Sequence, residues 1–178
     1  MKQTKTKKMV TAALLIAMQI VFVRFLAISG GNSSVRISLG FFPVALAGMT
    51  LGPIGGGAVG ALADFFGMLL FSRGDVYFVP FTLCEFLYGV GFGLMLGKLK
   101  LSGWRLAVCA AVQFVLLNLC LNSVFLYWYY QLVLGKHKGI FVILGSRLLA
   151  AAINLPVQIL GVCAIEKYLK KPIEKLGW

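Results

Sequence analysis

The sequence predicts an all-α integral membrane protein, a compact bundle of six transmembrane helices, from its composition and its long apolar runs. Of the 178 residues, 60% are hydrophobic and only 12% are charged, and the mean hydropathy is +0.93. Water-soluble domains are about half apolar and about a quarter charged. This composition therefore indicates a membrane protein, and the length suits one domain, residues 1–178.

Six apolar segments approach the about 20 residues that cross a hydrocarbon core of ~30 Å. The first follows a basic start, as in a signal peptide, but it is too long for one and lacks a small-residue cleavage motif. The second is short and contains Pro43, so we expect it to be tilted, broken or only partly spanning. The predicted helices are residues 9–29, 38–51, 53–71, 78–97, 105–133 and 140–167.

Lysine and arginine predict the orientation of these helices. With the N-terminus in the cytoplasm, eleven of the seventeen basic residues fall on that side, at the two termini and in the connection around residues 98–105. Cytoplasmic loops are enriched in basic residues. We therefore expect both termini to be cytoplasmic.

Three arginines, Arg24, Arg36 and Arg147, lie in or beside apolar sequence near the predicted outer ends of helices. A guanidinium next to hydrocarbon costs at least a few kcal/mol unless it reaches water or a polar cavity. Snorkelling to the interface explains any one of them. Several on the side that the charge rule depletes suggest an outward-facing site for an anionic ligand, because guanidinium pairs bidentately with carboxylate.

Glycines at every fourth position lead to an acid, Asp64, in the stretch GPIGGGAVGALADFFG from Gly52 to Gly67. Small residues at this spacing let helices approach closely in lipid, so packing explains the glycines. An acid within the membrane indicates a functional site. Asp64 is interpreted as a ligand contact, half of an ion pair with Arg36 or Arg147, or a proton carrier, and Glu85 is a second candidate.

The predicted fifth helix ends in polar and aromatic residues, NSVFLYWYYQ. Tyrosine and tryptophan collect at membrane interfaces, but four consecutive aromatic-rich positions surround the helix, so at least one faces the bundle. A flat aromatic ligand can stack there. Asn118 and Asn122, four residues apart, offer amide donors and acceptors to the edge of a heterocycle.

Several functional classes lack their motifs in this sequence. The four cysteines lie in apolar runs without paired or metal-like spacing, so no disulfide framework or metal site is expected. Neither a Walker A sequence nor a catalytic motif such as HExxH or GxSxG occurs. We therefore expect a protein that is not an enzyme and has no cofactor, with no nucleic-acid partner.

The sequence resembles the substrate-binding S components of energy-coupling factor (ECF) vitamin transporters, and within that group the folate-specific S component. The stretch VRISLGFFPVALAGMTLGPIGGGAVGALADFFG, an AxxxA pair in the first helix, and Arg147 followed by Leu155-Pro156-Val157-Gln158 support the resemblance. It covers about Thr11 to Gln158. The loop SRGDVYFVPFTLCEF and the aromatic end NSVFLYWYY depart from the expected pattern.

The resemblance implies a multi-pass protein of a prokaryotic plasma membrane that binds folate on the extracellular side. Its partners would be a transmembrane coupling subunit and two cytoplasmic ATPase subunits, which would explain the missing ATP motif. Arg24, Arg36 and Arg147 would hold the anionic tail, and Asp64 and Asn122 the pterin edge. Phe78, Trp128 and Tyr129 would form apolar or stacking walls, and Ala13 and Ala17 would face the coupling subunit.

Three alternatives stay open at the level of sequence. The nearest is an S component for another vitamin, such as riboflavin, pantothenate or thiamine, although a cationic ligand suits this arginine set poorly. A small membrane enzyme is a second, and the missing catalytic cluster argues against it. A structural or assembly subunit that binds no small molecule is a third.

Overall fold

Helices dominate the computed structural model, which describes residues 5–26, 28–29, 36–71, 76–99, 101, 103–133, 135 and 140–169. Within these ranges there are five helical elements and one pair of two-residue strands. The helices are α1 (Lys5–Arg24), α2 (Phe41–Leu70), α3 (Val79–Lys98), α4 (Gly103–Leu132) and α5 (residues 140–169). The strands β1 (Ile28–Ser29) and β2 (Arg36–Ile37) pair antiparallel.

Three of the predicted boundaries are wrong. The first helix ends at Arg24 rather than at residue 29, because residues 28–29 pair with β2 instead of continuing the helix. The helix predicted from residue 38 begins at Phe41, after a turn in which the backbone N–H of Gly40 donates to Ser38 Oγ at 3.2 Å. The first helix also begins at Lys5, four residues before the predicted start, and the remaining predicted helix limits lie within two residues of the observed ones.

Residue 52 interrupts α2, and the break predicted between residues 51 and 53 is confirmed. Gly52 has φ 79° and ψ −174°, a conformation that favours glycine, and Pro53 follows it within the helix. Proline suits the first turn of a helix, where its missing N–H costs nothing. Residues 41–51 and 53–70 therefore form two helical arms, which we call the short arm and the long arm.

The two arms fold back on each other and against α3 through a seam of glycines. A Cβ on Gly56 would lie 2.8 Å from Gly48 Cα, although a straight helix would separate these residues by about 12 Å. A Cβ on Gly56 would also lie 2.7 Å from the Gly89 carbonyl oxygen, and one on Gly48 would lie 2.6 Å from the Gly93 nitrogen. Backbone meets backbone along this glycine seam, which comprises Gly48, Gly56, Gly60, Gly89, Gly93 and Gly97.

A second layer of packing joins the short arm to α4 and α5. Its core consists of apolar side chains that include Val44, Phe92, Leu106, Val162 and Ile165, each fully buried. Among the described residues, π-helical turns occur in α3, α4 and α5, at Gly93–Lys98, Phe114–Leu121 and Ile165–Leu169.

Five helical segments of the described chain are long and apolar enough to cross a membrane: Lys5–Arg24, Phe41–Leu70, Val79–Lys98, Gly103–Leu132 and Arg147–Leu169. Their outward surface is apolar, with Ile54 79% exposed and Trp104 and Leu132 each 76% exposed. A surface of this kind suits lipid better than water. We call the end of the bundle at Arg24, Leu70 and Val79 the upper end.

Candidate functional site

The Asp64 carboxylate lies in the upper part of the long arm, where a chain of hydroxyl groups reaches it. Thr82 Oγ1 donates to Asp64 Oδ2 at 2.7 Å, and the Tyr77 hydroxyl lies 2.8 Å from Thr82 Oγ1. A threonine hydroxyl has one proton to give, so Tyr77 is the donor in the second bond. Thr82 thereby fixes the orientation of the acid from the first turns of α3.

Asp64 also lines a small cavity between α1, the long arm and α3. Its polar lining is completed by Gln19, Arg24 and Glu85, and Gly67 and nearby apolar side chains form the rest. The volume is about 40 Å³, enough for a few water molecules but too small for a fused ring system. In this conformation the cavity therefore offers its polar groups only to water or to the edge of a ligand.

Acceptors outnumber donors among the polar groups of this cavity. The positive charge of Arg24 attracts the Asp64 carboxylate, and the Glu85 carboxyl group lies close enough to interact with Asp64. Gln19 is only 5% exposed, and its Oε1 has no hydrogen-bond partner among the described residues. Such a lining suits a ligand that presents several N–H donors.

Arg147 lies where α5 meets α4. Its Nη1 donates to the main-chain carbonyl oxygen of Asn118 at 3.4 Å. One turn further along α4, Asn122 Oδ1 is buried without a hydrogen-bond partner in the described part of the chain. The two predicted residues Arg147 and Asn122 thus lie close together along the contact of α4 with α5. Arg147 has further N–H donors, and Asn122 Oδ1 is available as an acceptor.

Aromatic rings pack at the upper end between the start of α3 and the end of α4. Tyr129 is 7% exposed, and its ring centroid lies 5.7 Å from that of Phe78 and 5.8 Å from that of Phe81. The backbone N–H of Val76 donates to the Tyr129 hydroxyl at 3.2 Å. This aromatic cluster ties the segment before α3 to α4 and provides an apolar wall.

The predicted site residues fall into separate groups. Arg24 and Asp64 share the cavity, Phe78 and Tyr129 share the aromatic cluster, and Asn122 and Arg147 lie at the contact of α4 with α5. Trp128 belongs to none of these groups. Its side chain is 50% exposed, and its ring centroid lies 6.2 Å from that of Phe125. The backbone of Arg36 belongs to β2, and its side chain lies outside the described part of the structure.

Sequence reasoning did not include Gln19 and Thr82. An amide in the middle of an apolar helix is a usable signal for Gln19, since polar groups in membrane helices face the bundle or a cavity. Thr82 gives no comparable signal, because threonine is unremarkable near the start of a helix. Ala13 and Ala17, predicted to contact a partner, are both exposed on α1.

Comparisons with known proteins agree with this architecture. The sequence model of the family described as "ECF transporter, substrate-specific component" matches residues 7–166. The "Folate transporter FolT" of Clostridium novyi is 37% identical over 154 residues, which cover 86% of this chain and 84% of that protein. The protein of the same name from Leuconostoc mesenteroides is 24% identical over 155 residues, covering 86% and 81%.

Two solved structures have similar folds. The structure described as "Crystal structure of FolT bound with folic acid" superposes with a TM-score of 0.77 at 32% identity, covering 91% of this chain and 93% of that one. The structure described as "Structure and mechanism of the S component of a bacterial ECF transporter" gives a TM-score of 0.65 at 23% identity over 94% and 99%. With the family match over most of the sequence, this chain belongs to the substrate-specific components of ECF transporters.

Proposed function

We propose that this chain captures folate and is the folate-specific subunit of an ATP-driven importer. The main support for folate as the substrate is the 37% identity to a folate transporter over 86% of the chain. The 32% identity to a FolT structure bound with folic acid adds to it. The chemistry of the upper end agrees with it. Folate joins a flat, donor-rich pterin to a dianionic glutamate tail, and this chain offers acceptors, aromatic rings and arginines.

The acceptor-rich cavity is the proposed location for the pterin edge. Asp64, supported by Gln19 and Glu85, accepts N–H donors there. Because the cavity is too small for the ring system, we expect α1 and the segment before α3 to separate when the ligand enters. Phe78 and Tyr129 then supply the apolar wall on which a flat ring packs.

Arg147, with Arg24 and Arg36, is proposed to bind the anionic tail, and Asn122 to add an amide contact. A carboxylate that leaves water keeps its charge only when charge-assisted hydrogen bonds replace hydration. Arg147 is partly buried and donates to a main-chain carbonyl, so its guanidinium is held within the bundle rather than in free solvent.

The membrane arrangement is proposed to comprise six helical segments with both termini in the cytoplasm of a prokaryotic cell. Counting the short and long arms separately gives six, and Lys5, Lys98 and Lys167 all lie at the end opposite the upper end. This distribution follows the positive-inside rule. In this proposed arrangement the chain is a multi-pass protein of the plasma membrane, and its ligand site faces outward.

The partners are proposed to be a transmembrane coupling subunit and two cytoplasmic ATPase subunits. Ala13 and Ala17 lie one turn apart on the exposed side of α1, among exposed apolar side chains such as Met9 and Leu14. Two small residues at this spacing allow another helix to approach closely.

The substrate is tested by purifying the protein from rich medium, denaturing it, and identifying the released small molecule by absorbance and mass. We expect folate. A flavin or thiamine in its place would assign the chain to another vitamin, and isothermal titration with that vitamin would then be decisive.

The site is tested by isothermal titration of folate against Arg147→Ala. Hydrogen bonds to charged groups contribute about 1.5–3 kcal/mol, so we expect the affinity to fall roughly 10- to 100-fold. Arg105→Ala removes an exposed guanidinium at the opposite end of α4 and serves as the control. Equal affinities for the two variants would contradict the assignment of Arg147 to the tail.

A further inference from the structure

Three polar side chains meet in the centre of the bundle, away from the cavity and the aromatic cluster. Tyr88 on α3, Gln113 on α4 and Gln158 on α5 are 7%, 6% and 2% exposed. The Tyr88 hydroxyl donates to Gln158 Oε1, and Gln113 Nε2 donates to the Tyr88 main-chain carbonyl oxygen at 2.7 Å. Polar groups buried in an apolar bundle are unfavourable unless they serve a purpose, and Gln158 belongs to the LPVQ motif that follows Arg147.

A fourth residue connects this cluster to Arg147. The Asn118 side chain is a polar neighbour of the Tyr88 side chain. Since the Tyr88 hydroxyl gives its one proton to Gln158, it presents only lone pairs to the Asn118 amide. The main-chain carbonyl of the same Asn118 accepts from Arg147 Nη1. Asn118 thus lies beside Tyr88 with its side chain and accepts from Arg147 with its backbone.

The backbone of Asn118 needs such support because of its local geometry. It lies in the π-helical stretch Phe114–Leu121, which begins directly after Gln113. The wider π-helical turns are rare in proteins, and those that do occur are frequently found at functional sites. The Gln113 amide is fixed against α3, since a Cβ on Gly91 would lie 2.6 Å from Gln113 Cδ. Gln113 therefore anchors the start of this stretch, and Tyr88 lies beside Asn118 in its middle.

We propose that Tyr88 is a positioning residue for Arg147, acting through Asn118. Tyr88 sets where the Asn118 carbonyl lies, and that carbonyl sets where the guanidinium points. The inference rests on the proposed function in one respect, namely that Arg147 contacts the anionic tail of folate. It extends that function by naming residues that touch no ligand and yet determine how well the tail is bound.

The test is a double-mutant cycle of Tyr88→Phe and Arg147→Ala, with folate binding measured by isothermal titration. Tyr88→Phe keeps the ring and removes only the hydroxyl. A hydrogen bond of this kind changes binding by roughly 2- to 10-fold, and we expect a loss of that size in the otherwise unaltered protein. In the Arg147→Ala background we expect Tyr88→Phe to have no further effect.

A second variant, Asn118→Ala, keeps the main-chain carbonyl and removes the contact with Tyr88. We expect it to match Tyr88→Phe and to add nothing to it. Tyr168→Phe, at a tyrosine that is 69% exposed at the far end of α5, is the matched control and should bind folate normally. Elution volume and thermal unfolding in detergent establish that each variant is folded.

The outcomes separate the two proposals. If Arg147→Ala leaves folate affinity unchanged, the tail assignment fails and the positioning role fails with it. If Arg147→Ala weakens binding while Tyr88→Phe does not, or if their losses multiply in the double variant, only the positioning role is overturned. A loss with Tyr88→Phe that disappears in the Arg147→Ala background supports it.

Discussion

Asp64 shows how one side chain in an apolar helix is held in a usable orientation. Its carboxylate receives the Thr82 hydroxyl proton, is attracted by Arg24, and lies beside the unpartnered Oε1 of Gln19. These contacts come from two other helices, Thr82 from α3 and both Arg24 and Gln19 from α1. The position of the acid is therefore a property of the assembled bundle, although its presence is visible in the sequence.

At the scale of the residue, we predict that Thr82→Ala weakens folate binding. Without the 2.7 Å bond from Thr82 Oγ1, the Asp64 carboxylate loses its fixed orientation, and the loss of one hydrogen bond is worth about 0.5–1.5 kcal/mol, or roughly 2- to 10-fold in affinity. Isothermal titration provides the measurement.

Thr50→Ala is the control for this prediction. Thr50 Oγ1 donates to the Leu46 carbonyl at 2.8 Å within the short arm and touches neither the cavity nor the aromatic cluster. Folate affinity that is lost equally in both variants would attribute the effect of Thr82→Ala to general destabilisation.

Among the elements, the short arm depends most on glycine. At the glycine seam it contacts α3 through main-chain atoms, so a methyl group added there has no flexible side chain to displace. A Cβ on Gly93 would meet the main-chain atoms of Gly52 and Pro53, with 2.6 Å to the Pro53 nitrogen. The seam therefore fixes the distance between α2 and α3 as well as their contact.

We predict that Gly93→Ala destabilises the protein. Overpacking of this kind costs about 1–3 kcal/mol, which corresponds to a fall in the thermal midpoint of roughly 2–12 °C for a chain of this length. Thermal unfolding in detergent tests it.

Gly145→Ala is the matched substitution, since a Cβ on Gly145 in α5 meets nothing within 4 Å. Alanine is the better helix former by up to about 1 kcal/mol, so this variant should be unchanged or slightly more stable. Similar destabilisation of both variants would show that the seam has no special role.

The elements also show what sequence can and cannot predict. A glycine followed by a proline marks a helix break, and Gly52 and Pro53 were predictable for that reason. The reversal of the chain at this break could not be predicted. A spacing of four residues places Gly48 and Gly56 on one face only if the helix continues through both. The structure instead places them opposite each other across two arms.

The site residues also divide into those that the sequence predicts and those that only the structure shows. Asp64 and Arg147 stand out because charged groups are rare in apolar helices. Which residues surround them depends on how helices distant in sequence pack, so Gln19 and Thr82 became visible only in the structure. For the aromatic run of α4, periodicity required that some ring face inward, but only the fold identifies it as Tyr129 rather than Trp128.

Considered as a whole, the molecule separates its two proposed surfaces. The ligand groups lie within the bundle at the upper end, whereas Ala13 and Ala17 lie on the exposed side of α1. Binding of folate and assembly with the coupling subunit should therefore respond to different substitutions.

We predict that Ala17→Leu reduces assembly with the coupling and ATPase subunits, and with it folate uptake, at least several-fold. A leucine prevents the close approach of helices that small residues permit. Co-purification of the complex and uptake of labelled folate by cells are the measurements, and folate affinity of the isolated chain should not change.

Ala152→Leu adds the same bulk at an exposed position of α5 and should leave both assembly and uptake intact. Normal assembly of the Ala17→Leu variant would remove α1 from the proposed contact surface. Impaired folate binding by that variant would instead indicate that α1 had shifted within the bundle.

The short arm has a consequence for how the chain enters the membrane. Its residues 41–51 extend only about 16 Å, roughly half of a hydrocarbon core. Lipid alone cannot retain so brief a helix, and the arm gains its place from main-chain contact with the long arm and α3. Integration of residues 41–51 must therefore await synthesis of the segments that follow, which makes biogenesis of this protein a concerted event rather than a succession of independent insertions.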